Sequence, residues 1–157
     1  MVSNRRIEEI MKIVYQEVED GIAEGNPPWA AVITDRDGTI LVKAHNQTNT
    51  SHDPTAHAEI LALRKAGQLL RSKKLNTCLI FSNAESCSMC LSAIIKAKIT
   101  EVYYGIPAES DSNPNINAEF IKSRCLTELH LHAGIMQDIF MEQLRRARKQ
   151  EECKGCN

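Results

Sequence analysis

The chain has 157 residues, with 19 Lys and Arg set against 20 Asp and Glu, and its formal net charge of −1 exerts no overall pull toward nucleic acid or membrane. That length suits a single domain burying roughly two thirds of its unfolded surface, placed here over residues 1–150 and followed by a charged tail over 151–157. No stretch reaches the apolar length of a signal-peptide core or a membrane span, so the expectation is a cytoplasmic protein with no membrane partner, and its six cysteines stay reduced unless metal holds them.

From Arg5 to Gly25, Ile7, Ile10, Met11, Val14, Val18 and Ile22 recur at three- and four-residue spacing, which predicts an amphipathic helix stopped by Asn26-Pro27-Pro28. Two β-type runs, Trp29 to Thr34 and Thr39 to Ala44, flank the turn cluster Asp35-Arg36-Asp37-Gly38 and read as a hairpin. A polar loop follows. Asp53 as N-cap and Pro54 at the first helical position then predict a helix running from Ala56 to Gly67. Thr77 to Ser82 reads as a third strand, Cys87 to Lys98 as a third helix and Ile99 to Gly105 as a fourth strand. The loop from Ile106 to Asn117, at a strand end, is of the kind that covers a site. A short helix near Ala118 to Ser123, a strand near Glu128 to His132 and a helix from Ile135 to about Lys149 complete a three-layer α/β order with a mixed sheet.

Two short segments carry the chemistry: His57-Ala58-Glu59 and, thirty residues past the histidine, Cys87-Ser88-Met89-Cys90. One imidazole nitrogen and two thiolates can hold a tetrahedral Zn²⁺ with the fourth position open to water. The two thiolates balance the ion's charge and His57 binds as neutral imidazole, which leaves Glu59 outside the ligand set as a proton carrier. Both segments fall at predicted helix starts, where unpaired N–H groups favour thiolate over thiol. A thiol-disulfide reading of Cys87 and Cys90 gives His57 and Glu59 no role. A closed structural zinc needs a fourth ligand from Cys153 or Cys156, which read instead as exposed tail thiols. His130 and His132 share a strand face and read as ordinary strand histidines rather than a second metal site. His45 and His52 flank the loop before the first motif, and Cys78 and Cys125 read as small core residues.

The stretch from Asn46 through Cys90, including His52-Asp53-Pro54-Thr55-Ala56-His57-Ala58-Glu59, resembles the zinc-dependent cytidine and deoxycytidylate deaminase superfamily, and within it the bacterial guanine deaminases and the tRNA adenosine deaminases. The resemblance extends more loosely over nearly the whole chain. It implies a cytidine deaminase-like α-β-α sandwich with a mixed five-stranded sheet, zinc ligands at His57, Cys87 and Cys90, the proton shuttle at Glu59 and a base contact at Asn46. It also implies a homodimer. Trp29 and Ala30 match the family's first-strand segment lining the base pocket, with Ala30 where the family has glycine, and Ser86 stands where its second motif has proline. Ala58, between the two first-motif residues, and Ser86 are counted with the substrate-binding set.

The resemblance implies hydrolytic removal of an amino group from a nucleobase or nucleoside, a small-molecule substrate, with deamination of adenosine in tRNA as the alternative. Guanine deaminases carry an acidic pair before the aromatic residue matching Phe120, where this chain has Asn117 and Ala118. The tRNA alternative draws on the basic cluster Leu144-Arg145-Arg146-Ala147-Arg148-Lys149, which also fits a solvated helix end. The small-residue loop of tRNA deaminases after the fourth strand is not seen.

Overall fold

The apolar spacing near the N-terminus forms α1, Asn4–Ala23, opened by the Ser3 hydroxyl accepting the Arg6 N–H. Gly25, at φ +87°, closes it in the left-handed conformation that suits glycine. A computed structural model describes residues 2–108, 114 and 116–154. The remaining elements are β1 (Ala30–Asp35), β2 (Ile40–His45), α2 (Thr48–Ser51), α3 (Ala58–Leu70), β3 (Cys78–Ala84), α4 (Ser88–Lys96), β4 (Glu101–Ile106), α5 (Ala118–Lys122), β5 (His130–His132) and α6 (Gln137–Lys154).

The five strands form one sheet in the order β2-β1-β3-β4-β5. β1 runs antiparallel to β2 and β3, whereas β3, β4 and β5 run parallel. Side chains alternate across this sheet and build a core on each face. Ile10, Val14 and Val18 of α1 and Phe140 of α6 pack with Val32, Phe81 and Tyr103 on one face. On the other, Ala58, Ala62 and Ala66 of α3 and Leu91 and Ile94 of α4 pack with Ile33, Ile80 and Tyr104. The expected three-layer sandwich with a mixed five-stranded sheet is therefore the observed fold.

The three buried alanines of α3 let that helix lie close to the sheet. β3 sits centrally, its first six residues buried, and it ends beside the start of β1, since Ala31 pairs with Ser82. The carboxyl end of β3 lies beside the start of the antiparallel β1, and where strand direction reverses in this way open α/β sheets form ligand crevices.

Three local expectations differ. The polar loop after β2 contains the single-turn helix α2, too short to show a period. Asp53 does not cap the helix: its carboxylate accepts from the N–H and hydroxyl of Thr55, and His57 is the N-cap of α3. The last helix begins at Gln137 rather than Ile135 and continues to Lys154, into the segment read as tail. Cys156 lies outside the described residues.

Gly105 marks the tightest approach beside the crevice. A Cβ there would meet Phe140 at 2.6 Å and the Asn83 carbonyl oxygen at 2.8 Å. Gly105→Ala is expected to cost about 1–3 kcal/mol through overpacking, read as a lowered denaturation midpoint; an unchanged midpoint would show that both neighbours move freely.

Candidate active site

His57 and Cys87 occupy equivalent places, each the extended N-cap of a helix, α3 and α4 respectively. Neither side chain caps its own helix. Both turn toward each other, and Cys90, one turn into α4, completes the group. His57 Nδ1 lies 3.5 Å from Cys90 Sγ and 3.7 Å from Cys87 Sγ. All three donor atoms lie within 4.8 Å of one another, a grouping found nowhere else among the described residues.

The spacing suits one ion. Zn–N bonds of about 2.0–2.1 Å and Zn–S bonds of about 2.3 Å at a tetrahedral angle put nitrogen and sulfur about 3.6 Å apart. The donor set therefore fits Zn²⁺. Cys87 is exposed and Cys90 buried, so the site opens on the Cys87 side. The Cys90 thiol donates toward Cys87 and, together with His57, holds Cys87 down at about 4, while the neighbouring thiolate and burial push Cys90 up. The Cys87 thiolate in turn raises His57.

Glu59, two residues into the first turn of α3, is 8 % exposed and faces the same cavity. Burial raises its carboxyl above the usual range, opposed by its own backbone N–H and by the Ser86 hydroxyl. Ser86 Oγ is itself buried without a well-formed hydrogen bond.

The cavity measures about 280 Å³. Trp29, Ala30, Asn46, His57, Glu59, Ser86 and Cys87, all singled out in the sequence, line it. Ala58 does not: it is buried in the core between α3 and the sheet. Trp29 serves both of the roles open to it, lining the cavity while packing against the α1 side of the core. Asn46 is pinned on both sides, its N–H donating to the Trp29 carbonyl at 2.8 Å and its Oδ1 accepting from the Thr48 N–H at 2.9 Å and hydroxyl at 2.7 Å. Its Nδ2 forms no hydrogen bond among the described residues, so the side chain presents donors to the cavity.

Sequence reading missed the wall residues at and just after the end of β3. Asn83 at the end of β3 accepts from the Ala30 N–H and donates to the Pro28 carbonyl, both at 2.9 Å, and so fixes the segment that carries Trp29. An asparagine within the apolar run of a central strand was the available signal. Pro107, Ala108, Pro114 and Ile116, from the loop expected to cover a site, add an apolar wall, and Leu144 and Arg148 of the basic cluster reach it from α6. His45, His130 and His132 have carboxylate partners. His45 bridges Glu17 and Glu24, each at 2.9 Å, and His132 contacts Glu101 at 2.8 Å.

Residues 4–106 match the family model of the cytidine and deoxycytidylate deaminase zinc-binding region. The chain belongs to this family. Among its relatives, a guanine deaminase of Bacillus subtilis is 38% identical over 94 residues, covering 60% of each chain. A tRNA-specific adenosine deaminase of Aquifex aeolicus is 35% identical over 97 residues, covering 62% of this chain and 64% of its own. The matches thus span less than two thirds of either relative's length. The solved guanine deaminase from Nitrosomonas europaea superposes with a TM-score of 0.81 over 94% of this chain and 85% of its own at 22% identity, a likeness of fold.

A metal at this site is expected to survive purification at about one zinc per chain, measured by elemental analysis. Cys87→Ala should lose most of it, whereas deleting residues 153–157 should not; metal loss on that deletion would mean a closed structural site.

Proposed function

We propose that the protein is a zinc-dependent hydrolytic deaminase of an amino-bearing nucleobase or nucleoside, converting the C–NH₂ group and water to C=O and ammonia. The observation that carries this reading is the buried Glu59 on the small cavity that His57 and Cys87 also line, with Cys90 completing their donor set. When bound, Zn²⁺ supplies Lewis-acid chemistry that lowers the pKa of a water from 15.7 to about 7. Glu59 takes the proton released as the water oxygen attacks the amino-bearing carbon and delivers it to the adjacent ring nitrogen. It then carries the second proton to the amino group, which departs as ammonia. A carboxyl raised by burial is suited to both directions of transfer.

Asn46 orients the base. With Oδ1 committed to Thr48, it offers only N–H groups, so the substrate must present an acceptor there, such as a ring nitrogen or a carbonyl oxygen. A cavity of about 280 Å³ matches a base or nucleoside, lying just below the usual range of about 300–1,000 Å³ for small-molecule sites.

The basic cluster offers little to RNA as a unit. Arg145 pairs with Glu142, and Arg146 donates to the Tyr15 hydroxyl and Glu19. Arg148 alone of the three lines the cavity. The tRNA reading would rest on that residue and on the relatives that carry the tRNA-specific name.

The decisive experiment is ammonia release from amino-purines, amino-pyrimidines, their nucleosides and tRNA. Turnover of a base or nucleoside is expected, unchanged when Arg145 and Arg146 are both replaced by Ala. Activity on tRNA alone, with no turnover of any base or nucleoside, would establish the alternative. Glu59→Gln should keep its zinc and lose about 10²–10⁴-fold in kcat; loss of zinc with activity would make Glu59 a ligand. Asn46→Asp, which puts a carboxylate oxygen where the donors stood, should raise KM about ten- to hundredfold, and an unchanged KM would remove Asn46 from base recognition.

A further inference from the structure

One carboxylate on the cavity wall is placed for neither metal nor proton transfer. Glu85 lies two residues before Cys87 and lines the cavity. Its Oε1 accepts the Ala118 N–H at 2.8 Å and its Oε2 the Ala108 N–H at 3.1 Å. Its own N–H donates to the Ile106 carbonyl at 2.8 Å. Three hydrogen bonds from one residue therefore hold both ends of the connection between β4 and α5. That connection supplies Pro107, Ala108, Pro114 and Ile116, the apolar wall of the cavity.

We infer that Glu85 is a positioning residue which fixes the distance between this apolar wall and the zinc-ligand turn, and so sets how large a substrate the site accepts. The inference rests on the deaminase reading for its substrate. Its geometry does not. Charge-assisted bonds from backbone N–H groups to a carboxylate are among the stronger ones, and two of them from a single side chain fix direction as well as distance. The negative charge is also felt on β4, where Tyr104 is pushed up to about 12 by burial first and by Glu85 second. A base filling a cavity of about 280 Å³ contacts its walls on both ring faces, so a small displacement of one wall changes fit more than chemistry.

Two variants release the clamp from opposite ends. Glu85→Gln leaves one acceptor oxygen and turns an amide N–H₂ toward a backbone N–H. Ala118→Pro deletes one donor while keeping Glu85. Ala118 is the first residue of α5, where proline is tolerated, and Asn117 before it is already extended at ψ 169°. For each variant, zinc content, kcat, KM and the preference between a free base and its ribonucleoside are measured, with amide exchange at Ala108 and, in Glu85→Gln, at Ala118. The expected result is full zinc, kcat within about threefold and KM raised about tenfold. Preference should shift toward the ribonucleoside, and exchange at the clamped amides should be faster. Unchanged KM and preference in both variants would overturn the inference, as would zinc lost in step with activity. If the parent protein deaminates no base or nucleoside, the proposed reaction fails, and the clamp is judged on exchange and zinc content: unchanged exchange overturns it.

Discussion

Three soft or nitrogen donors must be held within bonding distance of a single ion, and two of them come from the starts of different helices. That constraint organises the molecule. α3 and α4 flank the same face of the sheet, and their relative position is set by the alanine stripe of α3 and by Leu91 and Ile94 of α4, all buried against β1, β3 and β4. Close-packed interiors transmit displacement rather than absorb it. A shift of either helix would therefore appear directly as a change in the nitrogen-to-sulfur distances of 3.5 and 3.7 Å. The convergence of two helix N-termini also makes the site electropositive before any metal arrives, which favours thiolate at Cys87.

Around that centre, the walls are tied together by polar residues, Asn46 and Asn83 buried and Glu85 half-buried, rather than by apolar contact alone. Asn83 fastens the segment carrying Trp29 to the end of β3, Asn46 is fastened to Trp29 and Thr48, and Glu85 fastens the β4–α5 connection to the zinc-ligand turn. Each bond is worth little net, but a buried group deprived of its partner costs about 1–3 kcal/mol. Such groups define one arrangement of the walls and penalise its neighbours. Apolar packing alone would permit sliding that these bonds do not.

What could be read from the sequence divides along physical lines. The spacing of Ile10, Met11, Val14 and Val18 encodes a buried helix face directly, and all four are buried. The ligand motif was legible because metal coordination restricts both residue type and spacing. The start of α3 was not. Asp53 and Pro54 carry good capping chemistry, but the Asp53 carboxylate serves Thr55, and Asp53 to Ala56 close a turn of their own, with the Ala56 N–H on the Asp53 carbonyl at 3.1 Å, before His57 opens the helix. At both helix starts the capping position is given to a residue that points at the other rather than at its own helix. Asn83 and Glu85 were missed because their roles depend on which strand ends and loops meet, and no local period or motif encodes that meeting.

The same distinction bears on substrate choice. Under the proposed function, ligand set and shuttle constrain the reaction, whereas the base is selected by groups with unspent hydrogen-bonding capacity. Among the described wall residues these include the Asn46 Nδ2 and the Ser86 hydroxyl. The first can only donate. The second can donate or accept, and it stands at a position where the family motif has proline, which offers no side-chain hydrogen bond. It also lies beside Glu59, close enough to lower that carboxyl. Under the proposed reaction, Ser86 thus adds to the cavity wall a hydroxyl able to donate or accept, which a proline there would not supply.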